Sequence, residues 1–413
     1  MKESSPGQFS DLNLSPAILK ALAAQNYSEP SPVQTLTIPP VLERKDVLAA
    51  AQTGTGKTAA FVLPILEILS RVGRTKSNNM RALILVPTRE LAAQVYESIM
   101  NYSRFLKLKS TVVHGGVKIN PQMLRMTKGQ DILVATPGRL LDLYRQNAVN
   151  FDQMEILVLD EADRMLNLGF KDEITEIHSL IPEKRQTLMF TATFTDEMKQ
   201  LADSFVNDPV IIEVNPEEIT VEAIKQLVYP VDKMKKTALF IQLYRAQNRD
   251  KTLVFTKTKN RANHLVEKLG KAGIEAAAIH GDKSQGARTR ALDEFKADKI
   301  SVLVATDLAA RGLDIRQLPL VINFDMPHLK EDYIHRIGRT GRASAAGLAI
   351  SFVETEDFQK LRDIERLTKQ VIDRIIIPEF EPDPPLPESE LDLRPFKAKK
   401  PKKPKTKNQP KIS

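Results

Sequence analysis

An eight-residue stretch, AQTGTGKT from Ala51 to Thr58, limits what this chain can fold into more than any other. It follows the apolar run Val47-Leu48-Ala49-Ala50 and precedes Phe61-Val62-Leu63, so its glycines fall where a buried strand turns into a helix. Gly54 and Gly56 have no Cβ, and the backbone there can bend so that several N–H groups face one anion. Lys57 adds a point charge for β- and γ-phosphates, and the Thr58 hydroxyl can ligate Mg²⁺ at the mouth of the helix. The plainer alternative is an ordinary Gly-Thr turn. A strand before, a helix after and Lys-Thr in register favour a nucleotide site. Ala51 stands where the strict pattern has glycine, and it is small enough to fit.

The rest of the chain repeats one grammar of apolar run, polar loop and amphipathic segment. The runs are Val47 to Ala50, Leu83 to Val86, Ile132 to Ala135, Ile156 to Leu159 and Thr187 to Phe190. Short, continuous and β-rich, they read as strands buried on both faces, with helices such as Glu90 to Met100 and Asp163 to Leu168 between them. After the polar passage Asn215-Pro216-Glu217-Glu218 the grammar restarts with Thr252 to Phe255, Ala276 to His280, Ser301 to Ala305, Leu320 to Phe324 and Leu348 to Val353. The fold class expected is therefore α/β, with two similar parallel-sheet domains. The length of 413 residues allows two or three such units. The second domain shows no phosphate cradle, because Thr256-Lys257-Thr258-Lys259-Asn260 follows Leu253-Val254-Phe255 without a glycine. One nucleotide must then serve both.

Composition narrows the setting. The absence of cysteine rules out disulfides and thiolate metal sites. No run approaches the roughly 18 apolar residues of a membrane span, so a cytoplasmic protein with no membrane partner is expected. The net charge of +8 is not spread over the chain: residues 394–413 hold nine cations and no acid, and without them it falls to −1. From Pro378 onward prolines mix first with acids and then with lysines, which reads as an extended, mobile segment. A solvated tail is the plain reading of that segment; a tether that keeps a nucleic-acid polyanion close is the functional one.

Ligands of open α/β sheets collect at the carboxyl ends of the strands. Asp160-Glu161-Ala162-Asp163 follows one run there. Asp160 is placed to hold Mg²⁺ and Glu161 to orient and polarise an attacking water. Alone, such a tetrad also reads as acids complementing a helix dipole. Thr191-Ala192-Thr193 ends another run, with hydroxyls for the neighbouring carboxylates. HRIGRTGR, His335 to Arg342, packs three arginines with two glycines. It reads either as an exposed basic loop or as guanidinium groups, Arg339 and Arg342 above all, reaching the nucleotide of the first domain.

These motifs, with PTRELA at 87–92, Gly115-Gly116, TPGR at 136–139 and ATDLAARGLDI at 305–315, stand in the order that characterises the DEAD-box RNA helicases, which the chain resembles from residue 9 to about 377. The passage RIIIPEFEPDP, Arg374 to Pro384, with its basic tail resembles the bacterial RhlE subgroup. The resemblance implies a P-loop NTPase with two RecA-like domains in tandem and a disordered basic C-terminal tail. It divides the chain into a Q-motif region packed on domain one (1–35), the ATP-binding domain one (36–214), a linker (215–222), domain two (223–377) and a flexible tail (378–413).

The resemblance also implies ATP and Mg²⁺ as cofactors. Phe9, Tyr27 and Gln34 match the adenine-reading Q motif, with Asn26 where the family has glycine. Ala51, Gln52, Thr53, Gly54, Thr55, Gly56, Lys57 and Thr58 would hold the phosphates, Thr58 and Asp160 the metal, and Asp314 the ribose. Lys57, Asp160, Glu161, His335, Arg339 and Arg342 form the expected catalytic set; Asp163, Thr191 and Thr193, with threonine for the family's first serine, couple the domains. RNA would meet Arg89, Gly116, Thr136 and Arg139 in domain one and Gln285, Arg288, Thr306 and Arg311 in domain two. Small residues, hydroxyls and arginines suit phosphates and 2′-hydroxyls, so binding independent of base sequence follows. The implied activity is ATP-driven closure on single-stranded RNA with local unwinding of short duplexes, in ribosome assembly or RNA turnover with ribonucleoprotein or RNA-decay partners. Two rivals stay open: an RNA clamp that hydrolyses ATP to let go, and a DNA-processing enzyme.

Overall fold

The computed structural model describes residues 7–51, 55–71, 73, 75–191, 196–214, 224–246, 251–310, 315, 318–340 and 347–392. Gln52, Thr53, Gly54, Thr193, Arg311, Asp314, Arg342, the linker expected at 215–222 and the basic tail from 394 lie outside the described residues.

The first domain holds β1 (Val47–Ala50), β2 (Met80–Leu85), β3 (Ser110–Val113), β4 (Gln130–Ala135), β5 (Ile156–Leu159), β6 (Gln186–Thr191) and β7 (Val210–Glu213). They pair in parallel in the order β3-β4-β2-β5-β6-β1-β7. The second holds β8 (Ile224–Pro230), β9 (Thr252–Thr256), β10 (Ala276–Ile279), β11 (Val302–Thr306), β12 (Leu320–Asn323), β13 (Gly347–Val353) and β14 (Asp373–Arg374). Their order, β10-β11-β9-β12-β13-β8-β14, is the first sheet's order repeated strand for strand. Ten of these strands coincide with the apolar runs of the sequence. β3 and β7 escape because they border or end a sheet and alternate between buried and open positions. β8 carries Lys225 and Gln226, and β14 has only two residues.

The repeat corrects one expectation. The counterpart of β1 is β8, not β9, so the loop to compare with the phosphate cradle is residues 231–235, between β8 and the helix Lys236–Ala246. That loop, Val231-Asp232-Lys233-Met234-Lys235, also lacks glycine, and the conclusion survives on different residues.

Side chains alternate across each sheet and divide the core in two. In the first sheet Ile84, Val134, Val158, Leu188 and Phe190 face one cluster, while Leu83, Leu133, Leu157, Leu159 and Met189 face the other. The second sheet splits the same way, with Val254, Val304 and Ile322 opposite Leu253, Leu303 and Val321. Burial on both faces is why the strands read as unbroken apolar runs. It also leaves strand ends as the place for polar chemistry.

Before β1 the Phe9–Leu12 turn and the helices Pro16–Ala23 and Pro32–Leu42 cover the helix Lys57–Ser70. Beyond β14 the described chain, to residue 392, stays on the body, which differs from the extended, mobile segment expected from 378 onward. Ile375, Ile377 and Phe380 pack on the second core, Thr355 donates to the Pro384 carbonyl, and Arg374 Nη2 donates to Ser389 Oγ at 2.6 Å. Spaced apolar side chains and exposed carbonyls anchor this proline-rich strap. Among the described residues no helix is long and apolar enough to cross a membrane.

Candidate nucleotide site and nucleic-acid interface

The cradle forms where β1 gives way to the helix Lys57–Ser70. Ala51 is buried, and its N–H donates to the Thr191 carbonyl at 3.0 Å, which ties the loop's entrance to the end of β6. Gly56 has φ +94, and a side chain there would collide with the Gln34 amide. Gln34 donates from Nε2 to the Gly56 carbonyl at 3.1 Å and accepts the Ser31 N–H at Oε1, 2.9 Å. Each end of that amide keeps one further hydrogen-bonding position, the pair an adenine edge requires. Asn26 adopts φ 59, the left-handed conformation glycine would take, so the turn before Tyr27 is preserved. Tyr27 is 45% exposed and meets Tyr102 edge-on, whereas Phe9 is buried in the first core.

Lys57 is 6% exposed, and its Nζ has no hydrogen-bond partner. A buried, unpartnered ammonium is costly unless an anion joins it. The residues therefore fit a phosphate group.

Across from Lys57, the end of β5 presents Asp160 and Glu161, both buried. Burial, with Glu161 and Asp163 close by, pushes the Asp160 carboxyl up to about 7 against the pull of Lys57. Burial also opposes ionisation of Glu161, but the Arg164 guanidinium, then Lys57 and Arg339, outweigh it and hold that carboxyl below the usual range. Two adjacent acids thus have opposite tendencies, the arrangement of a site in which they do different work. A buried acid that resists ionising fits a divalent cation, whose charge would favour the carboxylate. Glu161 itself has φ 52 and ψ 49, a strained backbone for a residue with a Cβ.

The HRIGRTGR loop divides its arginines. Arg336, fully buried, is bidentate to Asp307 at 2.5 and 2.7 Å and donates to Asn323 Oδ1 and the Asp325 carbonyl. It braces domain two from within and presents nothing to an anion outside it, so of the three arginines in this stretch Arg336 is not one that reaches a ligand. Arg339, by contrast, acts on Glu161 of the other domain. His335 lies half-buried on the helix Lys330–Ile337, its Nδ1 3.9 Å from Asp332.

The expected RNA contacts gather on another stretch of the same cleft. Arg89 opens the helix Arg89–Tyr102, capped by Thr88, and its guanidinium lies so close to Gly116, φ +78, that any side chain there would overlap it. Thr136 caps the helix Pro137–Arg145, whose Arg139 donates to the Val117 carbonyl at 3.1 Å. From domain two come Gln285 and Arg288, on the helix Gln285–Lys296, and Thr306 at the end of β11. Arg288 Nη2 stands 3.0 Å from Glu90 Oε1, an ion pair across the cleft. Gln285 Oε1 and Arg288 Nε are buried without hydrogen-bond partners, and so is Arg139 Nε, although Asp142 Oδ2 lies 3.5 Å from it. Open donors and one acceptor on both walls are what a polyanion with hydroxyls would satisfy.

Sequence reading missed Glu90, Arg164 and Lys236. Only Arg164 had a signal, its spacing of three from Glu161 on a helix. No pattern announces which side chains will meet across a cleft.

The fold and the cradle define a class: a P-loop NTPase built of two RecA-like domains in tandem. The DEAD/DEAH box helicase model matches residues 31–201, and the helicase conserved C-terminal domain matches 235–344. The chain is 41% identical over 367 residues to the DEAD-box ATP-dependent RNA helicase CshA of Geobacillus kaustophilus, across 89% of this chain and 78% of that one. It thus belongs to the DEAD-box helicase family. A structure of S. cerevisiae Dbp5 bound to RNA and ADP BeF3 is similar at 34% identity and TM-score 0.80, covering 89% of this chain and 95% of that one. A DEAD box protein from Methanococcus jannaschii, 36% identical over 89% of this chain and 99% of that one, reaches 0.51.

Proposed function

We propose that this chain couples ATP binding and hydrolysis to closure of its two domains on single-stranded RNA, and so opens short RNA duplexes. The observation that carries the reading is that Glu161 is tied to both domains: Arg164 pairs with it and donates to the Leu308 carbonyl of the second domain, whose Arg339 adds a positive charge that favours the carboxylate. A complete hydrolytic site then exists only in the closed arrangement.

In this reading Gln34 and Tyr27 take the adenine, the residues from Ala51 to Thr58 the phosphates and Asp314 the ribose, with Phe9 supporting them from the core. Lys57 gives its unpartnered ammonium to the phosphates. Thr58 and Asp160 would hold Mg²⁺, which when bound neutralises charge building on the transferred phosphoryl group. Glu161 orients the attacking water and accepts its proton, while His335, Arg339 and Arg342 close the far side. Asp163, Thr191 and Thr193 pass the change to the domain boundary. Arg89, Gly116, Thr136, Arg139, Gln285, Arg288, Thr306 and Arg311 hold phosphates and 2′-hydroxyls of a strand bent by closure. An A-form duplex cannot follow that bend, and its second strand is shed.

An RhlE-like subgroup rests on the Arg374–Pro384 segment and the basic tail; the relative quoted above bears the name CshA. The test is ATPase activity with RNA and with DNA of equal length, together with displacement of a short duplex that carries a single-stranded flank. RNA-selective stimulation and ATP-dependent displacement are expected. Equal stimulation by DNA, or displacement no faster with ATP than without nucleotide, would overturn the reading.

A further inference from the structure

Arg164 follows the DEAD tetrapeptide directly, and its side chain reaches from the first domain to the second beside Glu161. Its Nη1 lies 3.1 Å from Glu161 Oε2, and its Nη2 donates to the Leu308 carbonyl, 3.2 Å away and 144 residues on in sequence. The first contact is local: the helix Ala162–Asn167 begins just after Glu161, and a spacing of three places both side chains on one face. The second belongs to the closed molecule. Leu308 lies in the segment Asp307–Ala310, whose first residue is clamped by Arg336, so the carbonyl is fixed to the frame of domain two.

The guanidinium is 5% exposed, and its Nε makes no hydrogen bond. Its position depends on the two contacts at Nη1 and Nη2. Were the domains apart, only the Glu161 contact would remain, and the guanidinium could swing with that carboxylate. Glu161 sits on a left-handed backbone, and its side chain makes no capping hydrogen bond with the backbone of the helix it opens, so its orientation is set by what grips the carboxylate. A lysine would keep a charge beside Glu161, but a single nitrogen on a flexible stem cannot present a planar fork to two oxygens on different domains.

We propose that Arg164 is a positioning residue: it fixes the Glu161 carboxylate in its working orientation when the Leu308 carbonyl comes within reach, so that hydrolysis waits for closure. This rests on the role given to Glu161 above. The competing view is an ion pair that only steadies a short helix.

The two views separate in the ratio of RNA-stimulated to RNA-free ATPase, which does not depend on how much of a variant is folded. Arg164→Gln is expected to lower that ratio by about tenfold or more, as misplacing a reacting group by a fraction of an ångström to 1 Å does. Its KM for ATP should stay within about twofold, since no nucleotide contact is touched. Arg164→Lys should fall nearly as far. An Arg164→Lys ratio equal to that of the unaltered protein would overturn the proposal, because charge alone would then suffice; an unchanged ratio for Arg164→Gln would overturn it as well. Absence of RNA stimulation in the unaltered protein would instead overturn the function proposed for the whole chain.

Discussion

The two domains repeat one strand order, yet they treat the same lysine position in opposite ways. In the first, Lys57 begins the helix after β1 and keeps a buried ammonium with no hydrogen-bond partner. In the second, Lys236 begins the helix after β8, fully buried, with Glu354 at 2.6 Å, Asp325 at 3.7 Å and the Phe324 carbonyl at 3.0 Å. Asp325 stands two residues past the end of β12 and Asp160 one past the end of β5, so the lysine faces an acid at the corresponding strand end in both domains. Arg261 then pairs with Asp325 at 2.9 Å and completes a closed set of charges. One sheet offers its lysine to a ligand, and the other has satisfied it internally. Fold alone therefore does not say where a nucleotide goes; the state of a few side chains at one strand end does.

Substitutions can break or sharpen that contrast. The largest effect is expected for Glu161→Gln in the first domain, a fall in turnover of about 10²–10⁴-fold with binding of a non-hydrolysable ATP analogue retained. Lys57→Met comes next. Turnover should drop about 10²–10³-fold, and the rise in Tm that the analogue gives the unaltered protein should vanish, because that rise reports binding to the folded state. Lys236→Met should do the reverse. With Glu354 and Asp325 left short of a cation, about 3 kcal/mol of stability is lost, roughly 6–12 °C in Tm for a domain of this size, while the analogue still raises Tm. If Lys236→Met abolished analogue binding, or Lys57→Met left it intact, the contrast between the domains would fail. The smallest effect belongs to the tail. Removing residues 394–413 should raise the RNA concentration for half-maximal ATPase by about threefold at low salt and leave the saturated rate unchanged; an unchanged requirement would mean the lysines only solvate the chain.

Much of this was legible in the sequence, for physical reasons. Strands buried on both faces must be apolar throughout, so ten of them stood out. Phosphate chemistry needs glycines, a lysine and acids at fixed steps from such strands, so AQTGTGKT and the tetrad at 160–163 stood out as well. The edge strands β3 and β7 alternate and hide, and β8, which carries Lys225 and Gln226, does not read as an apolar run, so the loop after β9 took the place of the true counterpart of the cradle. That Arg336 turns inward is decided by Asp307, in the segment Asp307–Ala310, and Asn323, at the end of β12, and the Glu90–Arg288 and Arg164–Leu308 contacts exist only once two domains meet. Spacing along a chain carries no record of such meetings. The strap at 378–392 was hidden by composition, since prolines among acids look the same whether they lie free or along a groove.

The central claim is that one nucleotide is shared by two domains and that RNA completes their closure. X-ray scattering of the unaltered chain tests it most directly, with a non-hydrolysable ATP analogue, single-stranded RNA, both, or neither. A radius of gyration clearly smaller with both ligands than with either alone is the result expected. The same radius in all four conditions would contradict it.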